Sequence, residues 1–288
     1  MVITTASSPS ATTFSNISMN SEANCLGFVP LKTNLGGVEY RDGIDIVPDV
    51  FFEKLEQNKE LAHTSQVNAS EFMEIFEKVV ADGDEAVVIT ISSGLSGTYQ
   101  SAVVAASDYE GKIFVVDSLS ATAGEQVLIE HAIKLRDAGK SASEIYEELD
   151  YMRKNYHLFV RLETLEYLKR GGRISKTSAA LGGLMNIKPI LTLNKEGKLE
   201  TVGKARGIKA SHKMMNDAII ATGGIDFNYP VVITYAGDVN DGMVDSYIAD
   251  SADIFGDNKD KVTVGQLGCV IGTHAGPGAI VVSFVAKK

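Results

Sequence analysis

Residues 90–102 read TISSGLSGTYQSA and directly follow the apolar run Ala86-Val87-Val88-Ile89. Hydroxyls and loop N–H groups at the end of a strand suit a ligand that carries oxygens. Three chemistries fit that description: a bound phosphate, an acyl carbon under attack, and a carboxylate that is simply held. Spacing separates them. A P-loop needs G-x-x-x-x-G-K-[ST] and a dinucleotide loop needs G-x-G-x-x-G, whereas Gly94 and Gly97 stand three apart with no lysine after them. Nucleotide binding is disfavoured, although a helix opening near Gly97 would still offer free N–H groups to an anion. The hydrolase elbow G-x-S-x-G does not match Ser93-Gly94-Leu95-Ser96-Gly97. A triad of Ser93 or Ser96 with His274 and Asp117 stays open, because chain order does not define one. A held carboxylate needs only donors, and Thr64, Ser93, Ser96 and His274 are all expected in loops beside strand ends. Each also has a plain structural use: Thr64 as a helix cap, the serines as turn formers, His274 as a hydrogen-bonded loop histidine.

The elements that must position these residues follow from periodicity. Segment 86–91 is apolar at almost every position, as a strand buried on both faces would be, and 112–117 repeats the pattern. Helical spacing covers 70–80, with Asn68 or Ser70 as cap and Asp82-Gly83 as stop. Further helices are expected over 98–107 and 125–137, and Ser141 with Glu144 forms a capping box for a helix to about Asn155. Alternating strands and helices predict a parallel sheet with helices on both faces, where ligands sit beyond the carboxyl ends of the strands. A strand over 26–31 precedes turn signals at Gly36-Gly37 and Asp42-Gly43. The second half opens with a strand over 158–161, a short helix broken at Gly171-Gly172 and a small-residue helix over 175–186. Strands over 187–193 and 198–203 flank Asn194-Lys195-Glu196-Gly197, a hairpin signal. A helix over 208–222, strands over 231–235 and 262–264 with a helix spanning 244–248 between them, and a GTHAGPG loop into a last strand complete the chain. A hairpin within this alternation predicts a mixed sheet. The expected fold class is α/β with two domains, 1–156 and 157–288.

At 288 residues the chain is long enough for two ordinary domains with sizeable cores. No apolar run approaches the ~18 residues of a membrane span. The opening MVITTASSPSATT lacks a basic region followed by an apolar stretch, so no secretory signal is expected and the cytoplasm is the expected compartment. Cys25 and Cys269 have no metal-type spacing and read as thiols rather than a disulfide. A net charge of −10 argues against nucleic-acid binding. Its distribution is uneven: over 161–213, twelve Lys/Arg face four acids, a net of +8, which leaves −18 on the remainder. An acidic protein with one basic segment has a candidate docking face.

Several stretches together resemble the DegV family, bacterial fatty-acid-binding proteins that include the FakB subunits of fatty acid kinase. They are VPLKTNLGGVEYRDGIDI (29–46), TSQ (64–66), ISSGLSGTYQSA (91–102), VVDSLSATAGE (115–125), LEYLKRGGRIS (165–175), LMNIKPILTL (184–193) and IGTHAGPGA (271–279). They span nearly the whole chain in family order, and SSGLSGTYQSA with LKRGGRIS is quite specific. The chain departs from the family at its opening strand, which usually ends in Asp-Ser; here VITTASS places Thr5 where the aspartate is expected. The resemblance implies a long-chain fatty acid buried between two α/β domains. It implies that Thr64, Ser93 and His274 hold the carboxylate; Ser96 remains a candidate from its type and place in the loop alone. It also implies a FakA-like kinase as partner, which converts the bound carboxylate to an acyl phosphate and docks on Arg170, Arg173 and Arg206. The protein is then a carrier that needs no cofactor or metal and is not itself an enzyme. Tail burial at ~0.8 kcal/mol per methylene would supply roughly 10 kcal/mol for a long chain. Segment 178–185, SAALGGLM, fits two uses equally: a tunnel wall, with small residues leaving room and Leu184 and Met185 adapting to the chain, or ordinary core packing.

Overall fold

The computed structural model describes residues 1–5, 26–57, 62–174, 186–238 and 242–287. Strands β1 (Val2–Thr4), β2 (Leu26–Phe28), β6 (Ala86–Thr90) and β7 (Ile113–Asp117) form an all-parallel sheet in the order β2-β1-β6-β7. Every residue of β6 is buried, because both faces of the sheet are covered. On one face Ile3, Ala86 and Val88 meet Phe72, Phe76 and Val79 of α2 (Ala69–Ala81) and Ala102 and Ala105 of α3 (Thr98–Ala106). On the other, Val2, Val87 and Ile89 share a core with Val127, Leu128 and Ile129 of α4 (Ala123–Asp137) and Leu149 of α5 (Ala142–Met152). The expected caps are present: Asn68 opens α2, and Ser141 and Glu144 cap α5 reciprocally.

The chain enters the second sheet at Tyr156. Strands β8 (Tyr156–Arg161), β9 (Ile187–Leu193), β10 (Leu199–Arg206), β11 (Val231–Tyr235), β12 (Val262–Gln266) and β13 (Ile280–Val285) run in the order β10-β9-β8-β13-β11-β12. Only β11 and β12 pair in parallel, so the sheet is mixed, as the hairpin signal predicted. Its inner face packs on α4, whose core runs without interruption into Leu158, Val160, Val232 and Val281. Its outer face is covered by α7 (Ile208–Ala221), α8 (Met243–Ala249) and α9 (Ala252–Phe255), through Met215, Ile219, Tyr247 and Phe255. The architecture is five layers, with α4 shared between the two sheets.

Two features were missed by periodicity. A small antiparallel sheet, β4-β3-β5, is built from β3 (Lys32–Leu35), β4 (Val38–Arg41) and β5 (His63–Ser65). Gly36 and Gly37, both at positive φ, close its first hairpin. Thr64 therefore lies within a strand rather than in a loop. The expected loop at GTHAGPG is likewise partly helical: α10 (Cys269–Ala275) carries His274 in its last turn and packs on α1 (Pro48–Gln57) and α6 (Glu166–Arg170). Segment 175–185, with the stretch read as tunnel wall or core, and Cys25 lie outside the described residues. No helix among the described residues is long and apolar enough to cross a membrane.

Candidate functional site

The serine-rich loop leaves the carboxyl end of β6 and is pinned from three sides. Ser92 is fully buried; its Oγ accepts from Gly94 N (3.0 Å) and donates to Gly197 O (2.9 Å) at the tip of the β9–β10 hairpin. Its N–H donates to Ser120 O (2.7 Å). A Cβ at Gly94 would sit 2.6 Å from Glu196 O, so glycine is what lets the two backbones meet. Asp117 Oδ1 accepts from Ser93 N (3.1 Å) and Leu119 N (3.0 Å). Ser92, which the motif reading passed over, is thus the structural pivot of the loop.

Between the two halves lies a cavity that opens to solvent; with its open mouth included, the space is about 800 Å³. Leu158, Val160 and Leu162, alternate residues along and just past β8, give it one wall; Val281, Leu193 and Leu199 extend that wall, and Leu31, Ile91, Leu95 and Val270 face it. The polar side chains that border it are few: Thr64, Ser65, Gln66, Ser96, Thr122, Arg173 and His274. Thr64 Oγ1 and His274 Nε2 are 2.9 Å apart. His274 Nδ1 is buried and finds no hydrogen-bond partner among the described residues. Burial, reinforced by the Arg173 charge, lowers the His274 pKa to about 4, so the imidazole is neutral at pH 7. A neutral imidazole whose Nε2–H donates to Thr64 leaves the threonine hydroxyl hydrogen free to donate to an anion. Ser96 Oγ pairs with Thr98 Oγ1 at 2.9 Å.

The structure therefore brings Thr64, Ser96 and His274 to one cavity, and adds Arg173, which the sequence had assigned to docking. The Arg173 guanidinium donates to Leu95 O (3.3 Å) and Gly171 O (2.6 Å). Ser93 is exposed and lines an adjoining open cleft with Gly97, Lys198 and the same Arg173. Arg170 borders a separate small cavity with His63 and Tyr167, its Nε 3.5 Å from Glu166, and Arg206 is exposed at the end of β10. The basic segment is less of a surface than its count implies. Arg161 and Lys188 are buried and both bind Glu163, Arg161 at 2.6 Å. The triad of Ser93 or Ser96 with His274 and Asp117 does not form: His274 Nε2 faces Thr64, and Asp117 Oδ1 serves loop amides instead.

Thr5, the departure noted in the sequence, is fully buried. Its hydroxyl accepts from Ile91 N (3.1 Å) and donates to Glu125 Oε1 (3.4 Å). Burial pushes the Glu125 pKa up to about 8, against the lowering effect of its hydrogen bonds from Thr5 and the Thr122 backbone. A neutral hydroxyl thus holds the first amide of the loop, and the acid stands behind it on α4. No group of three or more His, Cys, Asp or Glu able to hold a metal occurs among the described residues.

Fold and site define an α/β protein of two main sheets and a small third one, with an apolar cavity that has a small polar cluster on its border. The DegV family model matches residues 17–287. A DegV domain-containing protein of Caldanaerobacter subterraneus subsp. tengcongensis is 36% identical over 266 residues, covering 90% of this chain and 91% of the relative. The chain belongs to the DegV family. Among solved structures, a fatty acid-binding DegV family protein from Thermus thermophilus is 31% identical with a TM-score of 0.84, covering 99% of this chain and 98% of its own. The fatty acid kinase B3 protein of Streptococcus pneumoniae, loaded with linoleic acid, shares the fold at a TM-score of 0.83 and 21% identity, over 99% of each chain.

Proposed function

We propose that this protein binds a long-chain fatty acid between two α/β domains that divide near Tyr156, and presents its carboxylate to a fatty acid kinase for conversion to an acyl phosphate. The observation that carries the reading is the cavity itself: aliphatic along β8, β9 and β13, and bordered by the Thr64–His274 pair, Ser96 and Arg173. An apolar wall suits a hydrocarbon tail, which supplies most of the affinity, while a few donors fix the head. Thr64 and Ser96 donate to the carboxylate, neutral His274 orients Thr64, and Ser93 waits in the adjoining cleft where an added phosphoryl group would emerge. The fatty acids carried by the Thermus and Streptococcus proteins support the ligand class. The kinase partner rests on the family resemblance. In this reading the protein acts as a carrier, and the chemistry belongs to its partner.

Denaturing extraction followed by mass spectrometry tests the ligand. A stoichiometric fatty acid is expected, copurified or taken up from a mixture, and none after incubation with mixed fatty acids would refute the reading. With purified kinase added, Ser93→Ala and His274→Ala should retain the lipid but lose phosphorylation; full phosphorylation in both would remove these two residues from the site.

A further inference from the structure

We infer that Asp42, which does not border the cavity, is the positioning residue of the head-group site: its carboxylate fixes the helix that carries His274. The inference rests on the head-group reading above. Asp42 lies in the RDGID turn after β4 and is 1% exposed. Its own N–H is held by Leu31 O at 3.0 Å. Its Oδ1 accepts from Cys269 N (2.9 Å) and its Oδ2 from Val270 N (2.7 Å), the first two amides of α10.

The first four amides of any helix lack partners within it, and α10 has only seven residues. A helix that short does not hold itself; tertiary contacts decide where it lies. Two bonds from a buried carboxylate to the helix's first amides are contacts of that kind, and a charged acceptor makes them stronger than neutral ones. They fix both the axial position and the rotation of the helix, since each oxygen takes a different amide. His274 follows Cys269 by five residues, about 7.5 Å along the axis, so displacement at the capped end is carried to the imidazole. Other contacts leave little slack: Thr273 Oγ1 meets Thr33 Oγ1 at 3.2 Å, and a Cβ on Gly272 would come within 2.7 Å of Phe52 Cζ. Asp42 therefore couples the RDGID turn of the first half to the histidine of the second.

The test separates head from tail by comparing palmitate with hexadecanol, which shares the tail and lacks the carboxylate. Asp42→Asn keeps an oxygen for one amide and removes the charge. It should weaken palmitate about tenfold, the size of one lost charge-assisted bond, and leave hexadecanol within about twofold. Asp42→Ala should widen the gap. A folded Asp42→Asn protein with the wild-type palmitate-to-hexadecanol ratio, or with both ligands weakened alike, overturns the inference. The wild type supplies a second readout that needs no variant. By reciprocity, palmitate should slow hydrogen exchange at the Cys269 and Val270 amides and hexadecanol should not; equal protection by both ligands also overturns it. Absence of palmitate binding in the wild type overturns the head-group reading itself, whereas binding with an unaltered ratio in the variant overturns only the role of Asp42.

Discussion

Thr64 meets His274 at 2.9 Å, and Thr5 meets Glu125 at 3.4 Å. In both pairs burial has pushed the ionisable partner toward its neutral form, the histidine down to about 4 and the glutamate up to about 8. The pairs differ in what is left over. The threonine of the first pair borders a cavity, and its histidine keeps a buried nitrogen without a partner among the described residues. The threonine of the second has already taken the amide of Ile91, and its glutamate is 1% exposed. The same desolvation thus serves a site with unused hydrogen-bonding capacity in one place and a loop anchor in the other. What separates them is whether the threonine's second bond is free.

The largest expected effect is on stability against pH, where the two groups act with opposite sign. Native His274 stays neutral until about pH 4, while an ordinary histidine protonates near 6.5. Between those values the unfolded chain binds the extra proton, so stability falls as pH is lowered from 6.5 to 4, by on the order of 3 kcal/mol. Native Glu125 keeps its proton until about pH 8, against an ordinary value of 4.5. Its contribution is complete below 4.5 and is lost as pH rises through 8, on the order of 5 kcal/mol at the limit. Urea midpoints measured from pH 4 to 9 should show both limbs. Glu125→Gln should flatten the alkaline limb alone; an unchanged limb in that variant would mean that Glu125 is already ionised at neutral pH.

A smaller effect should split the two threonines. Thr5→Val leaves the Ile91 amide without an acceptor in a buried setting, a cost of about 1–3 kcal/mol, with little change in ligand affinity. Thr64→Val removes a half-buried hydroxyl and should cost less than about 1 kcal/mol in stability, while weakening a fatty carboxylate about tenfold. Denaturation and palmitate titration of both variants decide the matter. If Thr5→Val were the variant that lost palmitate, the loop anchor and the head-group site would have to exchange places.

How much of this was legible in the sequence depended on the range of the forces. Strand β6 was readable because burial on both faces leaves an unbroken apolar run, and α5 because Ser141 and Glu144 cap it within three residues. His274, Thr64 and Ser96 were singled out by type and motif and border one cavity, but the strand, helix and hydrogen bonds that hold them were not foreseen. Helix α10 has seven residues, among them Gly272, and is held by Asp42 from 227 positions away in the chain. Strands β3 to β5 have three or four residues each, too few for alternation to be counted. Ser92 gave no signal, because its partner Gly197 is 105 positions away. Counting charge misled in one respect: Arg161 and Lys188 face inward to Glu163, and a sum of signs does not report direction.

The smallest effect on the protein itself is expected at Arg206, and it sharpens the contrast between cations. Arg173 borders the cavity and donates to two carbonyls of the loops around it, so a substitution there touches ligand and scaffold together. Arg206 is exposed on β10, and its backbone pairs with Ile187 whatever its side chain. Arg206→Glu should therefore leave both the denaturation midpoint and the amount of bound lipid where they are. A long-range attraction between this face and an acidic partner surface would still be weakened, chiefly in the association rate, and the loss should shrink as salt is raised. Association with the kinase followed at low and high ionic strength measures this directly. A loss of bound lipid in Arg206→Glu would show that β10 communicates with the cavity it borders at Leu199. Unchanged association at low salt would remove Arg206 from the docking face.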